Sequence, residues 1–169
     1  MQIPSQNPSF QVLEDADIPR AARAITSSAL LHSGQICMST ERVIIQRGVA
    51  TALVEELTAL FRKGKAGDTY SDSTANLGPL FTEGSAENVV AMINDAVEQG
   101  ARVLVGDRDR QGTIVQPHIV MDARPGMKLW ERESFGPGTY RLIPWFSMTY
   151  DVCCWWLNMT CIQLGPGPG

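Results

Sequence analysis

The chain has 169 residues, of which 44% are hydrophobic and 19% charged, and its formal net charge is −4. That length suits one domain of ordinary size, able to bury about two-thirds of the surface its unfolded form exposes. The charge balance offers no basic footprint for nucleic acid or for an anionic membrane.

The first ten residues, Met1 to Phe10, are polar and carry no basic patch followed by an apolar run. A cytoplasmic, reducing compartment is therefore the expectation. Asp17 is placed to cap a helix, with Pro19 in its first turn. Ala21, Ala22, Ile25, Ala29 and Leu30 then recur at helical spacing, and Gly34 is read as the stop. Arg42 to Gln46 is a short β-branched run that predicts a strand. A second helix is predicted from about Val49 to Lys63, with Val49, Leu53, Leu57, Leu60 and Phe61 as its apolar stripe. A loop rich in Ser, Asp, Thr, Asn and Gly leads to Gly78-Pro79. A third helix is predicted from about Gly84 to Gln99, with Val89, Val90, Ile93 and Val97 turned inward and Gly100 past its end. Arg102 to Val105 and Thr113 to Met121 read as strands. This order predicts an α/β domain with a mainly parallel sheet flanked by helices.

The pattern changes at residue 138. Residues 138–169 hold three of the four tryptophans and three of the four cysteines, but only two charges, Arg141 and Asp151. They show neither helical nor strand periodicity and end in Gly-Pro-Gly-Pro-Gly. The division predicted is a folded unit over 7–137 and an irregular, poorly packed tail of unrelated sequence over 138–169. Trp145 to Leu164 has about the length of a membrane span, but Asp151, Asn158 and Gln163 argue against one. The adjacent Cys153 and Cys154 lack the spacing of a Cys-x-x-Cys chelate, so a thiol-redox or metal role through them and Cys161 ranks last. His32 and His118 have no Cys or carboxylate cluster at ligand spacing, and no metal site is predicted.

The stretch richest in chemistry is Leu31-His-Ser-Gly-Gln-Ile-Cys-Met-Ser-Thr-Glu-Arg-Val-Ile-Ile-Gln46. It places Cys37 just after a glycine turn that follows a helix, and just before a strand. Such a turn can expose a thiol and aim backbone N–H groups at the atom it attacks. By itself a lone cysteine is more often a small buried hydrophobe. Glu41-Arg42 reads as a solvated pair. Glu133 and Phe135, taken alone, read as a surface carboxylate and a core aromatic.

Together with three other stretches, this segment resembles the aldehyde dehydrogenase superfamily, in which Gly-Gln-x-Cys carries the nucleophile. Leu13-Glu-Asp-Ala-Asp17 is similar to the family's acidic turn, and Asn76-Leu-Gly-Pro-Leu80 to its Gly-Pro loop. Glu133-Ser-Phe-Gly-Pro137 is similar to its cofactor motif. The resemblance covers about Asn7 to Pro137 and looks most like the branch acting on aromatic aldehydes such as salicylaldehyde or vanillin. It implies that Cys37 is the catalytic thiol of an NAD(P)-dependent oxidation of aldehydes, with its backbone N–H as one oxyanion donor. It also implies that Gly34 and Gln35 shape the turn, and that Glu133 and Phe135 contact the ribose and nicotinamide of NAD or NADP.

The same resemblance implies missing parts. The cofactor-binding domain and the oxyanion asparagine belong upstream of this sequence, and Gln2 or a neighbour stands where the family has its general-base glutamate. His32 replaces the usual asparagine. The sequence thus predicts a truncated catalytic-domain fragment that is inactive alone. The alternative is a non-catalytic remnant that associates with full-length homologous subunits.

Overall fold

A computed structural model of the chain describes the backbone of residues 9–145 and the side chains of residues 9–140. The unit begins with strand β1 (Ser9–Val12), helix α1 (Ile18–Leu30) and a tight turn over Leu31–Gly34. Strand β2 (Arg42–Gln46), helix α2 (Arg47–Phe61) and helix α3 (Glu83–Glu98) follow. Then come β3 (Arg102–Val105), β4 (Arg110–Gln111), β5 (Ile114–Val115), β6 (His118–Met121), the short helix α4 (Lys128–Glu131) and β7 (Gly138–Trp145).

The helix starts follow from capping. The Asp17 side chain accepts from the Arg20 N–H, and the Thr82 hydroxyl accepts from the Ser85 N–H, closing α1 and α3. Gly100 ends α3 at φ +99°, a left-handed dihedral that costs glycine nothing. α1 stops at Leu30 rather than running to Gly34, because His32 and Ser33 take left-handed dihedrals of φ 49° and 57°.

The main sheet has the order β1-β2-β7-β6-β3. The pairs β1–β2, β2–β7 and β6–β7 are parallel, and β3 closes the sheet antiparallel to β6. The fold is therefore α/β with a mainly parallel sheet. Val43, Ile44 and Ile45 are all buried, as befits a strand covered on both faces. One core cluster joins α1 and α2 to the sheet through Val43, Ile45, Leu53, Leu57, Phe61 and Ile119. The other joins α3 and α4 to the opposite face through Val89, Met92, Ile93, Val120, Leu129 and Tyr140. Ile119 and Val120 enter different clusters because successive strand residues point to opposite faces.

The structure departs from the sequence reading at several places. β1 was not predicted. The strand read over Thr113–Met121 is two pieces, since Gln116-Pro117 interrupts it and proline has no N–H for a ladder. The division drawn after Pro137 falls at the start of β7, which lies in the middle of the sheet. Gly138, Thr139 and Tyr140 are buried there, and this polar, glycine-led opening does not look like an inner strand. A Cβ on Gly138 would lie 2.7 Å from both the His118 carbonyl oxygen and the Tyr140 ring. Cys153, Cys154 and Cys161 of the tail, and Gln2, lie outside the described residues.

Candidate active site

Cys37 is exposed, in the segment between the Leu31–Gly34 turn and β2. Parallel pairing explains what gathers around it. β2 and β7 run side by side in one direction, with Arg42 opposite Arg141. The segments leading into them therefore lie at the same end of the sheet. One carries Cys37, and the other carries Glu133-Ser-Phe-Gly-Pro137.

Three loops meet here. Gly34, at φ +77°, packs so closely on the second segment that a Cβ would lie 1.9 Å from the Gly136 carbonyl oxygen. The buried Ser33 hydroxyl donates to the Gly78 carbonyl at 2.7 Å. Gln35 braces the turn on both sides. Its side-chain amide donates to the His32 carbonyl at 3.1 Å and to the Pro79 carbonyl at 3.5 Å, and its oxygen accepts from the Phe81 N–H at 2.8 Å. Asn76 anchors the Gly-Pro loop by accepting from the Lys65 N–H and donating to the Lys63 carbonyl. Beneath the cysteine, Thr40 donates to the Ser28 hydroxyl, which donates to the Met38 carbonyl.

Glu41 overturns its sequence reading. It is only 2% exposed, not a solvated partner of Arg42. Its Oε1 accepts from the Ser134 N–H at 2.8 Å, the Ser134 hydroxyl at 2.7 Å and the Phe135 N–H at 3.0 Å. Burying a carboxylate is costly unless such donors surround it. Nothing in the local sequence marks those donors, which lie 93 and 94 residues away. Arg42 stacks its guanidinium over Trp130, 5.2 Å from the ring centroid, while the nearby Glu41 and Glu131 support its charge.

Phe135 is 42% exposed, so the core-aromatic reading does not hold. It sits at φ 54°, a left-handed conformation costing a bulky residue about 1–2 kcal/mol. Glu133 is partly buried, and desolvation, then the nearby Glu41, pushes its carboxyl above the usual range. Leu31, Met38 and Phe81 are also exposed around this turn. His32 tolerates its left-handed dihedral because histidine, like asparagine, is enriched there. His118 is fully buried at the start of β6, where its backbone N–H donates to the Pro137 carbonyl at 2.9 Å. Its Nδ1 bonds the Gln116 carbonyl at 2.7 Å, and its Nε2 accepts from the Arg108 N–H at 3.1 Å. Burial lowers its pKa. Among the described residues, no three His, Cys, Asp or Glu side chains gather as a metal would need. No described helix is long and apolar enough to cross a membrane.

The braced turn thus presents an exposed thiol beside a loop that presents a carboxylate and an aromatic. The chain belongs to the aldehyde dehydrogenase family, whose model matches residues 2–140. It is 40% identical over 126 residues to a vanillin dehydrogenase of Pseudomonas fluorescens, covering 75% of this chain and 26% of that protein. A salicylaldehyde dehydrogenase of Pseudomonas putida is 34% identical over 128 residues, covering 76% of this chain and 26% of the relative. Among solved structures, a salicylaldehyde dehydrogenase from Pseudomonas putida G7 complexed with salicylaldehyde superposes with a TM-score of 0.77 at 30% identity. That match covers 84% of this chain and 29% of the other. The chain spans about a quarter of the length of the curated relatives it matches.

Proposed function

We propose that Cys37 is the nucleophile with which the assembled protein oxidises an aldehyde, of the aromatic class, to its carboxylic acid. The observation that carries this reading is the exposed Cys37 held where the Gly34-Gln35 turn meets both the Gly78-Pro79 loop and the Glu133–Pro137 loop. The thiolate sulfur adds to the carbonyl carbon and the carbonyl electron pair moves to oxygen, giving a thiohemiacetal. Loss of the carbon-bound hydrogen as hydride leaves a thioester. Water then adds, the C–S bond breaks, and the acid leaves with the thiol restored. NAD+ or NADP+, when bound, supplies the acceptor for the hydride. The residues present suit the nicotinamide end of such a group. Phe135 offers an exposed aromatic face, and the Glu133 carboxylate offers an acceptor for ribose hydroxyls.

The 169 residues by themselves are proposed not to complete this cycle. Benzaldehyde-type substrates with NAD+ or NADP+ are expected to yield no reduced cofactor from the isolated chain. A chimera tests the nucleophile directly. With residues 9–145 exchanged into the Pseudomonas fluorescens vanillin dehydrogenase, vanillin oxidation is expected to persist. Cys37→Ala in that chimera should lower kcat by about 10³-fold or more. A loss of only a few-fold would remove Cys37 from the chemistry.

A second reading, association with full-length homologous subunits, is favoured by the exposure of Leu31, Met38, Phe81 and Phe135 around one turn. Copurification with a full-length homologue is its test, and recovery of the chain alone would count against it.

A further inference from the structure

The conformation of the Glu133–Pro137 loop needs a cause that its own sequence does not supply. Phe135 is held at φ 54° without being glycine, and it is not pinned by burial of its ring. The following Gly136 is buried, and its N–H donates to the Ser134 hydroxyl at 3.1 Å. That hydroxyl in turn donates to Glu41 Oε1, as do the N–H groups of Ser134 and Phe135. Three consecutive residues of the loop thus depend, directly or through one hydroxyl, on a single buried carboxylate oxygen.

That carboxylate stands four residues after Cys37 in the chain. Its own backbone is fixed to the sheet, since the Glu41 carbonyl accepts from the Tyr140 N–H at 2.9 Å. The neighbouring Thr40 carbonyl accepts from the Thr139 hydroxyl at 3.1 Å. Both ends of the cysteine segment are therefore tied to the same stretch, Gly34 by close packing on Gly136 and Glu41 by hydrogen bonds.

We propose that Glu41 is a positioning residue: its buried carboxylate clamps the Ser134 and Phe135 backbone to the cysteine segment and so sets how Glu133 and Phe135 are presented beside the Cys37 turn. The clamp stands on the hydrogen-bond geometry. Only its use, in presenting those two side chains to a cofactor, rests on the function proposed above. A carboxylate oxygen that accepts from two amides and a hydroxyl is a strong anchor when it is buried, because the low local dielectric strengthens each bond.

Hydrogen exchange of the full chain tests the clamp, with the Ser134 and Phe135 amides compared to those of Val89 and Ile93 in α3. Glu41→Met keeps the side-chain length and apolar stem but removes the acceptor. The two loop amides should then exchange roughly tenfold faster or more, relative to α3. Glu41→Gln retains an oxygen and should stay within about threefold of the parent. Equal behaviour of the Met and Gln variants would reduce Glu41 to a packing element and overturn the proposal. If the Met variant does not fold, Glu41→Asp decides, because it withdraws the oxygen by one methylene. Release of the two amides supports the clamp, and unchanged protection refutes it. Exchange is read without aldehyde or cofactor, so failure of the clamp and failure of Cys37 as nucleophile are separate results.

Discussion

Single atoms decide much at this site, and Gly34 is the clearest case. A methyl group there meets the Gly136 carbonyl oxygen, a backbone atom, at 1.9 Å, while φ +77° strains any L side chain. Gly100 shares a left-handed φ of +99° but has nothing within 4 Å of an added Cβ. Gly34→Ala is therefore expected to cost about 3 kcal/mol or more, and Gly100→Ala only about 1 kcal/mol. Urea unfolding of the two variants checks this, and equal midpoints would mean that the turn yields easily. His118 carries a pH effect. Burial holds its pKa below the ordinary value against the opposing pull of the Gln116 carbonyl and of Asp107, 3.9 Å away. The unfolded chain thus binds a proton that the folded chain refuses. Stability is full above the unfolded value of about 6.5 and is lost as pH falls below it, by at most about 1.4 kcal/mol per pH unit. The raised Glu133 carboxyl acts in the opposite sense, its stabilisation being lost as pH rises, and it cancels when parent and variant are compared. The stability difference between the parent and His118→Gln should therefore shrink from pH 7.5 to 5.5. A constant difference would show that His118 does not titrate on unfolding.

Helices were legible where burial follows a single period. The predicted stripe Ala21, Ala22, Ile25, Ala29 and Leu30 is entirely buried, as are Leu53, Leu57 and Phe61 of α2. Val49 and Leu60 are only half-buried, because that stripe is wider than the contact with α1 and the sheet. β2 was read at its observed limits, since Val43-Ile44-Ile45 is a β-branched run buried on both faces. β7 was not legible, because its inward residues begin with Gly138 and Thr139, chosen for close approach to β6 and the Thr40 carbonyl rather than for apolar bulk. The site divides in the same way. Cys37, Gly34, Gln35, Glu133 and Phe135 were marked by motifs, and the structure brings the two segments bearing them together. Glu41 was missed because its burial is created by parallel pairing of β2 with a strand about a hundred residues later. No local pattern records that pairing.

At the scale of the whole molecule, β7 is what makes one unit of two cores. It separates β2 from β6 in the sheet, and its Tyr140 is fully buried in the α3–α4 cluster. The α1–α2 cluster lies on the opposite face, and its contacts with the sheet reach from β2 across to Ile119 of β6. Removing β7 leaves β2 and β6 with facing, unpaired edges and opens a channel through both cores. Buried backbone groups that lose their partners each cost about 1–3 kcal/mol. A domain of this size has a stability of only about 5–15 kcal/mol, so loss of a central strand exceeds what it can absorb. A chain ending at Pro137 is therefore expected not to fold, whereas one ending at Trp145 keeps every strand of the sheet. Circular dichroism melts of the two truncations distinguish the outcomes. A cooperative transition in the shorter chain would mean that the folded unit closes at residue 137 and that β7 is an accessory to it. Its absence there, with retention in the longer chain, would place the boundary of the folded unit after β7, the strand whose Tyr140 N–H bonds the Glu41 carbonyl.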